Sequence, residues 1–247
     1  MTEPRRGMVL AAGLGLRMRP FTDRMPKPLL PVAGRTLLDR ALDHLDASGV
    51  DTVVVNTHHL ADQIAMHLAA RSRPRIVLSH EAELLETGGG VAKALPHLAP
   101  GPFYVVNGDA LWLDAAQLTL RRLAAGWDDR RMDALLLIEP VVKAVGYEGI
   151  GDFHLMPDGR LRRRAVDETA PYFFTGIQLL AARLFAGVAV ERFSLNRLYD
   201  RALSAGRLFA VVHDGAFFHV GTPAGLALAE AALTPGGHAG GMAGAGG

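Results

Sequence analysis

The sequence predicts an α/β protein of three α/β/α layers, a Rossmann-like arrangement around a mixed, mostly parallel central sheet. Up to residue 139, short apolar or β-branched runs alternate with segments of helical periodicity. Such alternation is typical of parallel strands joined by helical crossovers, with helices on both faces of the sheet. After Pro140 the runs are shorter and turn residues separate them. We therefore expect hairpins in the second half and a sheet that this half completes.

The elements of the first half follow from their residues in order. Residues 8–12 form a short apolar run that ends in glycine, typical of a buried strand leading into a loop. Thr36 and Asp39 have the spacing of a helix N-cap and its N3 residue, and Gly49 ends that helix. The same reasoning predicts strands at 52–56, 75–79, 103–107 and 133–138, and helices at 60–70, 89–98 (beginning after a glycine triplet) and 115–125.

In the second half, Pro157-Asp158-Gly159 is a turn sequence that predicts a hairpin within 152–164. Further strands are predicted at 172–180, 208–213 and 217–220, and helices at 181–185, 195–205 and 223–233. We expect a single domain over residues 1–235, with halves 1–139 and 140–235. Residues 236–247, GGHAGGMAGAGG, are expected to be disordered, because glycine loses the most backbone entropy on ordering.

Composition limits the class of protein. The 247 residues are 49% hydrophobic, which suffices for a sizeable core. Lys and Arg number 26 against 25 Asp and Glu, so no nucleic-acid partner is expected. The lack of cysteine excludes disulfides, thiolate metal sites and cysteine nucleophiles. No apolar run approaches the ~20 residues of a membrane span, and the N-terminal run is too short for a signal peptide. We expect a cytoplasmic protein with no membrane partner, as a monomer or small homo-oligomer.

The stretch LAAGLGLRMRPFTDRMPKPLLPVAG, residues 10–34, predicts a phosphate-binding loop. Gly13 and Gly15 let the backbone approach a ligand, and exposed N–H groups can cradle phosphate oxygens. The prolines are expected to hold residues 14–28 extended and stiff. Arginine forks and a lysine point charge on such a segment suit a polyphosphate. Against one acid, Asp23, the segment carries four cations: Arg17, Arg19, Arg24 and Lys27.

Two better-known phosphate loops are excluded. A dinucleotide-binding loop needs a third glycine where Met18 stands, and a helix that starts at once, which the prolines prevent. A Walker loop needs Gly-Lys-Ser/Thr, whereas Lys27 stands between two prolines. The alternative is a basic, solvated surface loop. The strand before the loop and the glycines at its mouth favour ligand binding.

The segment resembles the signature of nucleoside-triphosphate:sugar-1-phosphate nucleotidyltransferases, G-x-G-x-R-[ML]-x-P-x-T-x-x-x-P-K-P, and every fixed position of that pattern is present. The resemblance covers nearly all of the chain except the glycine tail. Within it, the GxGxRM loop, LETGGG, NGD and GDF look most like the N-acetylmuramate α-1-phosphate uridylyltransferases of peptidoglycan recycling. The further matching segments are LLETGGG (84–90), NGD (107–109), GDF (151–153), FTGI (174–177) and VGTP (220–223).

The resemblance implies transfer of a nucleotidyl group from a nucleoside triphosphate, UTP in this branch, to a sugar-1-phosphate, with release of pyrophosphate. Arg17 would grip the β- and γ-phosphates, and Lys27 would reach the α-phosphate and the acceptor phosphate. Glu81 or Glu86 would accept a hydrogen bond from a base nitrogen such as uracil N3, with a solvated glutamate as the alternative for each. The nucleotide-binding residues would be Leu10, Ala11, Ala12, Gly13, Gly15, Glu81, Glu86, Gly88 and Gly89.

The resemblance also assigns a sugar-binding role to the half 140–235 and a nucleotide-binding role to the half 1–139. The substrate-binding positions would be Asn107, Gly151, Asp152, Thr175 and Gly176. Strand ends and polar hairpin positions are competing interpretations for the last four. The arginines between 160 and 164 are better interpreted as a solvated hairpin face.

Asp109 follows a predicted buried strand and is the expected Mg²⁺ ligand, since Mg²⁺ prefers carboxylates together with substrate phosphates. The family usually places an aspartate before its Val-Gly-Thr motif as a second ligand, but this sequence has His219 there. An imidazole nitrogen suits Mg²⁺ poorly. Three outcomes stay open: Asp109 and phosphate oxygens suffice, another acid such as Asp214 substitutes, or the chain binds nucleotide with weakened catalysis. We favour the first.

Other functions remain possible at this point. A related transferase would use glucose-, mannose- or heptose-1-phosphate or phosphocholine, with another base. A catalytically weak nucleotide-sugar sensor would bind nucleotide without releasing pyrophosphate. A Rossmann dehydrogenase is nearly excluded, because Met18 interrupts its glycine pattern.

Overall fold

The computed structural model describes residues 3–234, so the tail prediction for 236–247 lies outside the described residues. Its strands are β1 (Arg6–Leu10), β2 (Pro31–Val32), β3 (Arg35–Thr36), β4 (Thr52–Thr57), β5 (Arg75–His80), β6 (Phe103–Asn107), β7 (Ala110–Leu113), β8 (Ala134–Pro140), β9 (Phe153–Leu155), β10 (Leu161–Arg163), β11 (Tyr172–Leu180), β12 (Leu208–Val212) and β13 (Ala216–His219). Its α-helices are α1 (Leu37–Ala47), α2 (Ala61–Leu68), α3 (Glu86–Leu98), α4 (Thr119–Gly126), α5 (Asn196–Ser204) and α6 (Pro223–Leu233).

Nine strands form the central sheet, which confirms the predicted mixed, mostly parallel architecture. β1 lies between β4 and β6 and pairs with both in parallel, and β5 extends this parallel part beyond β4. β11 runs antiparallel between β6 and β8, and β12 pairs with β8 in parallel. The hairpin β9–β10 extends the sheet beside β11. Strands from both halves of the chain therefore share one sheet.

Hydrophobic clusters cover both faces of this sheet and make the three predicted layers. Leu135 and Leu137 of β8 pack on the side of α1 and α4, whereas Leu136 and Ile138 pack on the side of α3 and α5. The period of two along β8 distributes its apolar residues to both faces. At the start of α1, the Thr36 side chain accepts a hydrogen bond from the Asp39 N–H at 3.0 Å, which confirms the predicted cap.

Several predicted elements differ from the structure. The strand predicted at 217–220 corresponds to β13, which pairs with β7 outside the central sheet. α4 begins only at Thr119, because β7 and a turn occupy the residues before it. The segment at 181–185 forms a 3₁₀ turn, Ala182–Phe185. Residues 14–28 are not extended: they fold into the 3₁₀ turns Leu16–Met18, Phe21–Asp23 and Lys27–Leu29, since proline fixes φ at a value that turns also accept.

No helix between residues 3 and 234 combines the length and the apolar character that a membrane crossing requires.

Glu139 near the end of β8 is fully buried, and neither carboxylate oxygen has a hydrogen-bond partner among the described residues. Burial raises its pKa to about 7, while the nearby Lys143 acts in the opposite direction. A raised folded-state pKa means that the protein loses stability as the pH rises through the interval between the ordinary value, 4.5, and about 7.

We expect Glu139→Gln to unfold with the same free energy as wild type near pH 4.5 and to be more stable at pH 8 by up to about 3 kcal/mol. The measurement is urea unfolding across this pH range. Glu83, an exposed glutamate, supplies the control Glu83→Gln, which should follow the wild-type profile. A constant difference between Glu139→Gln and wild type at all pH values would contradict the assigned ionisation.

Candidate active site

A cavity of about 580 Å³ lies at the carboxyl ends of β1 and β6. Open α/β sheets bind ligands at this edge, where the loops after parallel strands diverge. The predicted site residues that line the cavity are Leu10, Ala11, Ala12, Gly13, Gly15, Arg17, Lys27, Glu86, Asn107 and Asp109. The structure thus brings together ten positions that the sequence placed in three separate segments.

Local geometry directs the loop after β1 into the cavity. Gly15 has a φ of 63°, in the left-handed region that glycine adopts without strain, and it starts the first 3₁₀ turn. The Thr22 hydroxyl donates to the Gly15 carbonyl at 2.8 Å and ties the second turn back to the loop. Met18 is fully buried and anchors the first turn. The loop is therefore preorganised by turns and anchors rather than by an extended proline segment.

Lys27 and Asp109 form an ion pair at the cavity wall, with 2.5 Å between Nζ and the carboxylate. The Lys27 side chain is 11% exposed and that of Asp109 is 35% exposed. Since Lys27 is largely withdrawn from water and Asp109 is partly so, their charges interact more strongly than those of a fully exposed pair. Arg17 lines the same cavity. The site therefore holds two cations and one carboxylate that an anionic ligand would meet together.

His219 approaches this group from β13, where it pairs with Ala110, the residue after Asp109. Burial lowers the pKa of the His219 imidazole; the Asp109 carboxylate opposes this shift, and Lys27 and Arg17 add to it. The imidazole is therefore neutral near pH 7 and adds no positive charge to the site.

The donor set fits a divalent cation only in combination with a phosphate ligand. Asp109 offers carboxylate oxygens of the kind that Mg²⁺ prefers, whereas His219 offers one nitrogen. Within residues 3–234, no three His, Asp or Glu side chains come together as a metal-binding group. Asp214 pairs with Arg122 at 2.5 Å and does not line the cavity, which disfavours it as the substitute ligand.

The glycine triplet after Thr87 lies elsewhere than predicted. It belongs to the first turns of α3 instead of preceding the helix. Gly88 and Gly89 donate backbone hydrogen bonds to the Phe193 carbonyl, and a Cβ on Gly89 would collide with the Glu191 carbonyl. The close approach that these glycines permit is made to the chain's own segment 191–193, and Gly88 and Gly89, predicted as nucleotide-binding, do not line the cavity.

The two candidate glutamates differ in position: Glu86 lines the cavity and Glu81 does not. Glu86 lines the cavity, accepts a hydrogen bond from Arg192 at 2.8 Å, and has a φ of 59°, a strained value for a residue other than glycine. Glu81 is 1% exposed, and both of its carboxylate oxygens accept hydrogen bonds from the protein, from Asn56 and Leu85. Glu81 does not line the cavity, and its two carboxylate oxygens are held by these protein donors.

Gly89→Ala is expected to lower the stability of the protein, whereas Gly13→Ala is expected to weaken ligand binding and leave the stability unchanged. An added methyl group at Gly89 meets backbone, so we expect a loss of about 2–3 kcal/mol in unfolding free energy. A Cβ at Gly13 meets nothing within 4 Å, so stability should change by less than about 0.5 kcal/mol. Because Gly13 lines the cavity, its alanine should instead weaken the binding of a polyphosphate ligand about tenfold, equivalent to a lost contact of about 1.4 kcal/mol. Urea unfolding and ligand-binding titrations on both variants measure this, and an unstable Gly13→Ala would contradict it.

Of the five positions predicted for the sugar substrate, only Asn107 lines the cavity. Their contacts are internal. The Asp152 carboxylate accepts from the Phe174 N–H at 2.9 Å, and the Thr175 hydroxyl donates to the Leu137 carbonyl at 2.8 Å. Gly151 accepts from Arg164 at 2.9 Å, and Gly176 lies against the Asn107 side chain. Thr175 and Gly176 occupy an irregularity of β11, between Phe174 and Gln178, where its register to β8 shifts.

Cavity residues outside the predicted site set include Leu84 and Thr87, which belong to the matching segment 84–90, and Asn56 and Ser194, which the sequence did not single out. Asn56 carries the same signal as Asn107, a polar residue near the end of a β-branched strand. Ser194 has no such signal: it reaches the cavity because the segment 191–195 folds back onto the start of α3, where the Leu195 N–H donates to the Thr87 hydroxyl at 2.9 Å.

The chain matches the MobA-like NTP transferase domain over residues 7–142. It is 41% identical over 235 residues to the N-acetylmuramate alpha-1-phosphate uridylyltransferase of Caulobacter vibrioides, covering 93% of this chain and 97% of that protein. The Neisseria meningitidis protein of the same name is 34% identical over 230 residues, with 92% and 97% covered. The solved structure of HddC from Yersinia pseudotuberculosis complexed with GMP-PN has a TM-score of 0.76 at 20% identity, covering 93% of this chain and 100% of that one. The predicted resemblance and fold are confirmed.

Proposed function

This chain belongs to the MobA-like NTP transferase domain family and is a nucleotidyltransferase, and from that premise we propose that it transfers a uridylyl group from UTP to N-acetylmuramate α-1-phosphate. The products are pyrophosphate and the UDP-sugar. The names of the Caulobacter and Neisseria relatives suggest this pair of substrates. The observation that carries the proposal is the meeting of Arg17, Lys27 and Asp109 at one cavity behind a glycine loop.

The reaction is an in-line displacement at the α-phosphorus. An acceptor phosphate oxygen forms the new P–O bond, and the bond to the β-phosphate oxygen breaks with its electron pair, so pyrophosphate leaves. A sugar phosphate is already ionised and nucleophilic, so no covalent enzyme intermediate is needed. The task of the protein is then positioning and charge compensation.

Lys27 and Arg17 divide this compensation in the proposal. Lys27 neutralises the α-phosphate and the incoming acceptor phosphate, two anions that would otherwise repel. Arg17, as a planar fork, holds the β- and γ-phosphates that depart. Leu10, Ala11, Ala12, Gly13 and Gly15 contact the nucleotide through the backbone, and Glu86 is the remaining candidate acceptor for uracil N3. The neutral His219 contributes no charge to this balance.

Asp109, with phosphate oxygens of the nucleotide, would hold Mg²⁺ in this proposal. When bound, the ion neutralises the charge that develops on the phosphates. The Lys27 ammonium group lies beside the Asp109 carboxylate. In the proposal, Lys27 therefore interacts both with Asp109 and with the phosphates of the substrates. His219 is assigned no more than a weak ligand role.

The acceptor sugar would bind on the side formed by Asn107, Gly151, Asp152, Thr175 and Gly176. Asn107 is the proposed direct contact, because it lines the cavity, and Gly176 supports its side chain. We also propose that residues 1–139 form the nucleotide half and residues 140–235 the sugar half of one domain. A cytoplasmic location and a role in peptidoglycan recycling belong to the same proposal.

A pyrophosphate-release panel tests the proposal. Each of UTP, CTP, GTP, ATP and dTTP is combined, with Mg²⁺, with N-acetylmuramate-, glucose-, mannose- or heptose-1-phosphate or phosphocholine. We expect the highest kcat/KM for UTP with N-acetylmuramate α-1-phosphate. A higher kcat/KM for another pair overturns the substrate assignment, and nucleotide binding without pyrophosphate release from any pair favours a sensor.

A further inference from the structure

A buried carboxylate connects two walls of the nucleotide cavity. Glu81 is 1% exposed and Asn56 is 2% exposed. The Asn56 Nδ2 group donates to Glu81 Oε1 at 2.7 Å, and the Ala11 N–H donates to Asn56 Oδ1 at 2.7 Å. The Leu85 N–H donates to Glu81 Oε2 at 2.9 Å. These three hydrogen bonds connect the loop after β1 to the turn before α3.

Both connected segments face the cavity. Ala11 belongs to the loop that lines one wall, and Leu84, next to Leu85, lines the other. The polarity of the chain of bonds is determined at one end: Glu81 accepts twice, so Asn56 must present its Nδ2 group to it. Asn56 Oδ1 is then directed at the Ala11 N–H, which fixes the orientation of an amide that would otherwise have two.

The contact between Glu81 and Asn56 lies tightly against Gly90. A Cβ on Gly90 would lie 2.8 Å from Glu81 Oε1 and 2.9 Å from Asn56 Nδ2. The absent side chain at Gly90 therefore makes space for the contact between Glu81 and Asn56. The Glu81 backbone is held as well, because its N–H donates to the Thr57 carbonyl at 2.8 Å. Partners on both sides keep the carboxylate where the two walls meet.

We propose that Glu81 is a positioning residue that acts through Asn56 and the Leu85 N–H to set the distance between the two walls of the nucleotide cavity. This inference deepens the proposed function, on which it rests for the identity of the nucleotide. In this proposal Glu81 does not contact the ligand. Asn56 connects Glu81 to the loop after β1 through its hydrogen bond from the Ala11 N–H.

The hydrogen-bond polarity yields a specific variant series. In Glu81→Gln, the amide at position 81 has one oxygen that accepts and one NH₂ group that donates, but it faces two donors, Asn56 Nδ2 and the Leu85 N–H. One hydrogen bond is therefore lost. If the Asn56 amide flips, its NH₂ group faces the Ala11 N–H, and the hydrogen bond from Ala11 is lost instead. In Asn56→Asp, two carboxylates face each other. In the double variant Asn56→Asp/Glu81→Gln, the carboxylate introduced at position 56 would accept from the Ala11 N–H and from the amide introduced at position 81. The oxygen of that amide would accept from the Leu85 N–H, so all three bonds and the net charge are restored.

The first measurement is amide hydrogen exchange in the nucleotide-free protein. We expect Glu81→Gln to exchange faster by about tenfold or more at Leu85, or at Ala11 if the Asn56 amide flips, as loss of one buried hydrogen bond implies. The double variant should return both sites to within about threefold of wild type. The control Glu83→Gln changes an exposed glutamate two residues away and should leave both rates unchanged.

The second measurement is turnover with UTP and N-acetylmuramate α-1-phosphate. We expect Glu81→Gln to raise the KM for UTP about tenfold or more with kcat changed less, and the double variant to recover most of that loss. Wild-type exchange at Ala11 and Leu85 in Glu81→Gln, or no recovery in the double variant, would overturn the proposal. If Glu81→Gln does not fold, a folded double variant with wild-type exchange supports it and an unfolded one overturns it. Exchange needs no substrate, so a wild-type protein inactive with these substrates would refute only the proposed function.

Discussion

Lys27→Ala is expected to lower kcat by about 10²–10³-fold while the protein stays folded, the loss typical of removing one preorganised charge donor. Lys27 is mostly withdrawn from water and contacts Asp109 at 2.5 Å. Its removal takes one positive charge from the cavity and leaves the Asp109 charge uncompensated beside an incoming triphosphate. Both effects raise the energy of two phosphates approaching each other. The measurement is pyrophosphate release at saturating substrates, with a thermal melt to verify folding.

Lys143→Ala is the matched control, because Lys143 is exposed and lies outside the cavity. It should retain wild-type turnover. Lys27→Arg keeps the charge but replaces a compact ammonium by a wider fork, so its kcat should lie between those of wild type and Lys27→Ala. Wild-type turnover in Lys27→Ala would remove Lys27 from the proposed mechanism.

Asp109→Asn is the second change with a large expected effect. It removes the carboxylate proposed to hold Mg²⁺, and we expect kcat to fall by about 10²-fold, with at least about tenfold more Mg²⁺ needed for half-maximal rate. Pyrophosphate release as a function of Mg²⁺ concentration measures both quantities. An unchanged Mg²⁺ profile would mean that Asp109 does not hold the ion.

Two further variants resolve the question that His219 raises. Asp214→Asn should keep the wild-type Mg²⁺ profile, because Asp214 is held by Arg122 away from the cavity. His219→Asp places a second carboxylate next to Asp109 and should lower the Mg²⁺ concentration for half-maximal rate several-fold. A weakened Mg²⁺ response in Asp214→Asn would instead favour Asp214 as the substitute ligand.

Local sequence patterns predicted much of the fold. The β-branched run at 52–56 and the apolar run at 103–107 correspond to β4 and β6, and the Thr36 cap begins α1. These patterns succeed because burial on both faces and capping depend on residues close together in the chain. β7 and its pairing with the strand at 217–220 were not predicted, because the partner of a strand is a non-local property.

What the sequence determined by itself is the loop after β1 and its chemistry: glycines, Arg17 and Lys27 in one contiguous motif, followed by Asp109 at the end of a buried strand. The tertiary structure alone decided which glutamate faces the cavity, what the glycine triplet contacts, and that Asn56 joins two walls. The hydrogen bonds between Asn56 and Glu81, between Ala11 and Asn56, and between Thr87 and Leu195 connect residues that are 25, 45 and 108 positions apart. Their geometry depends on how strands and helices pack, and a local pattern of residue types does not specify that packing.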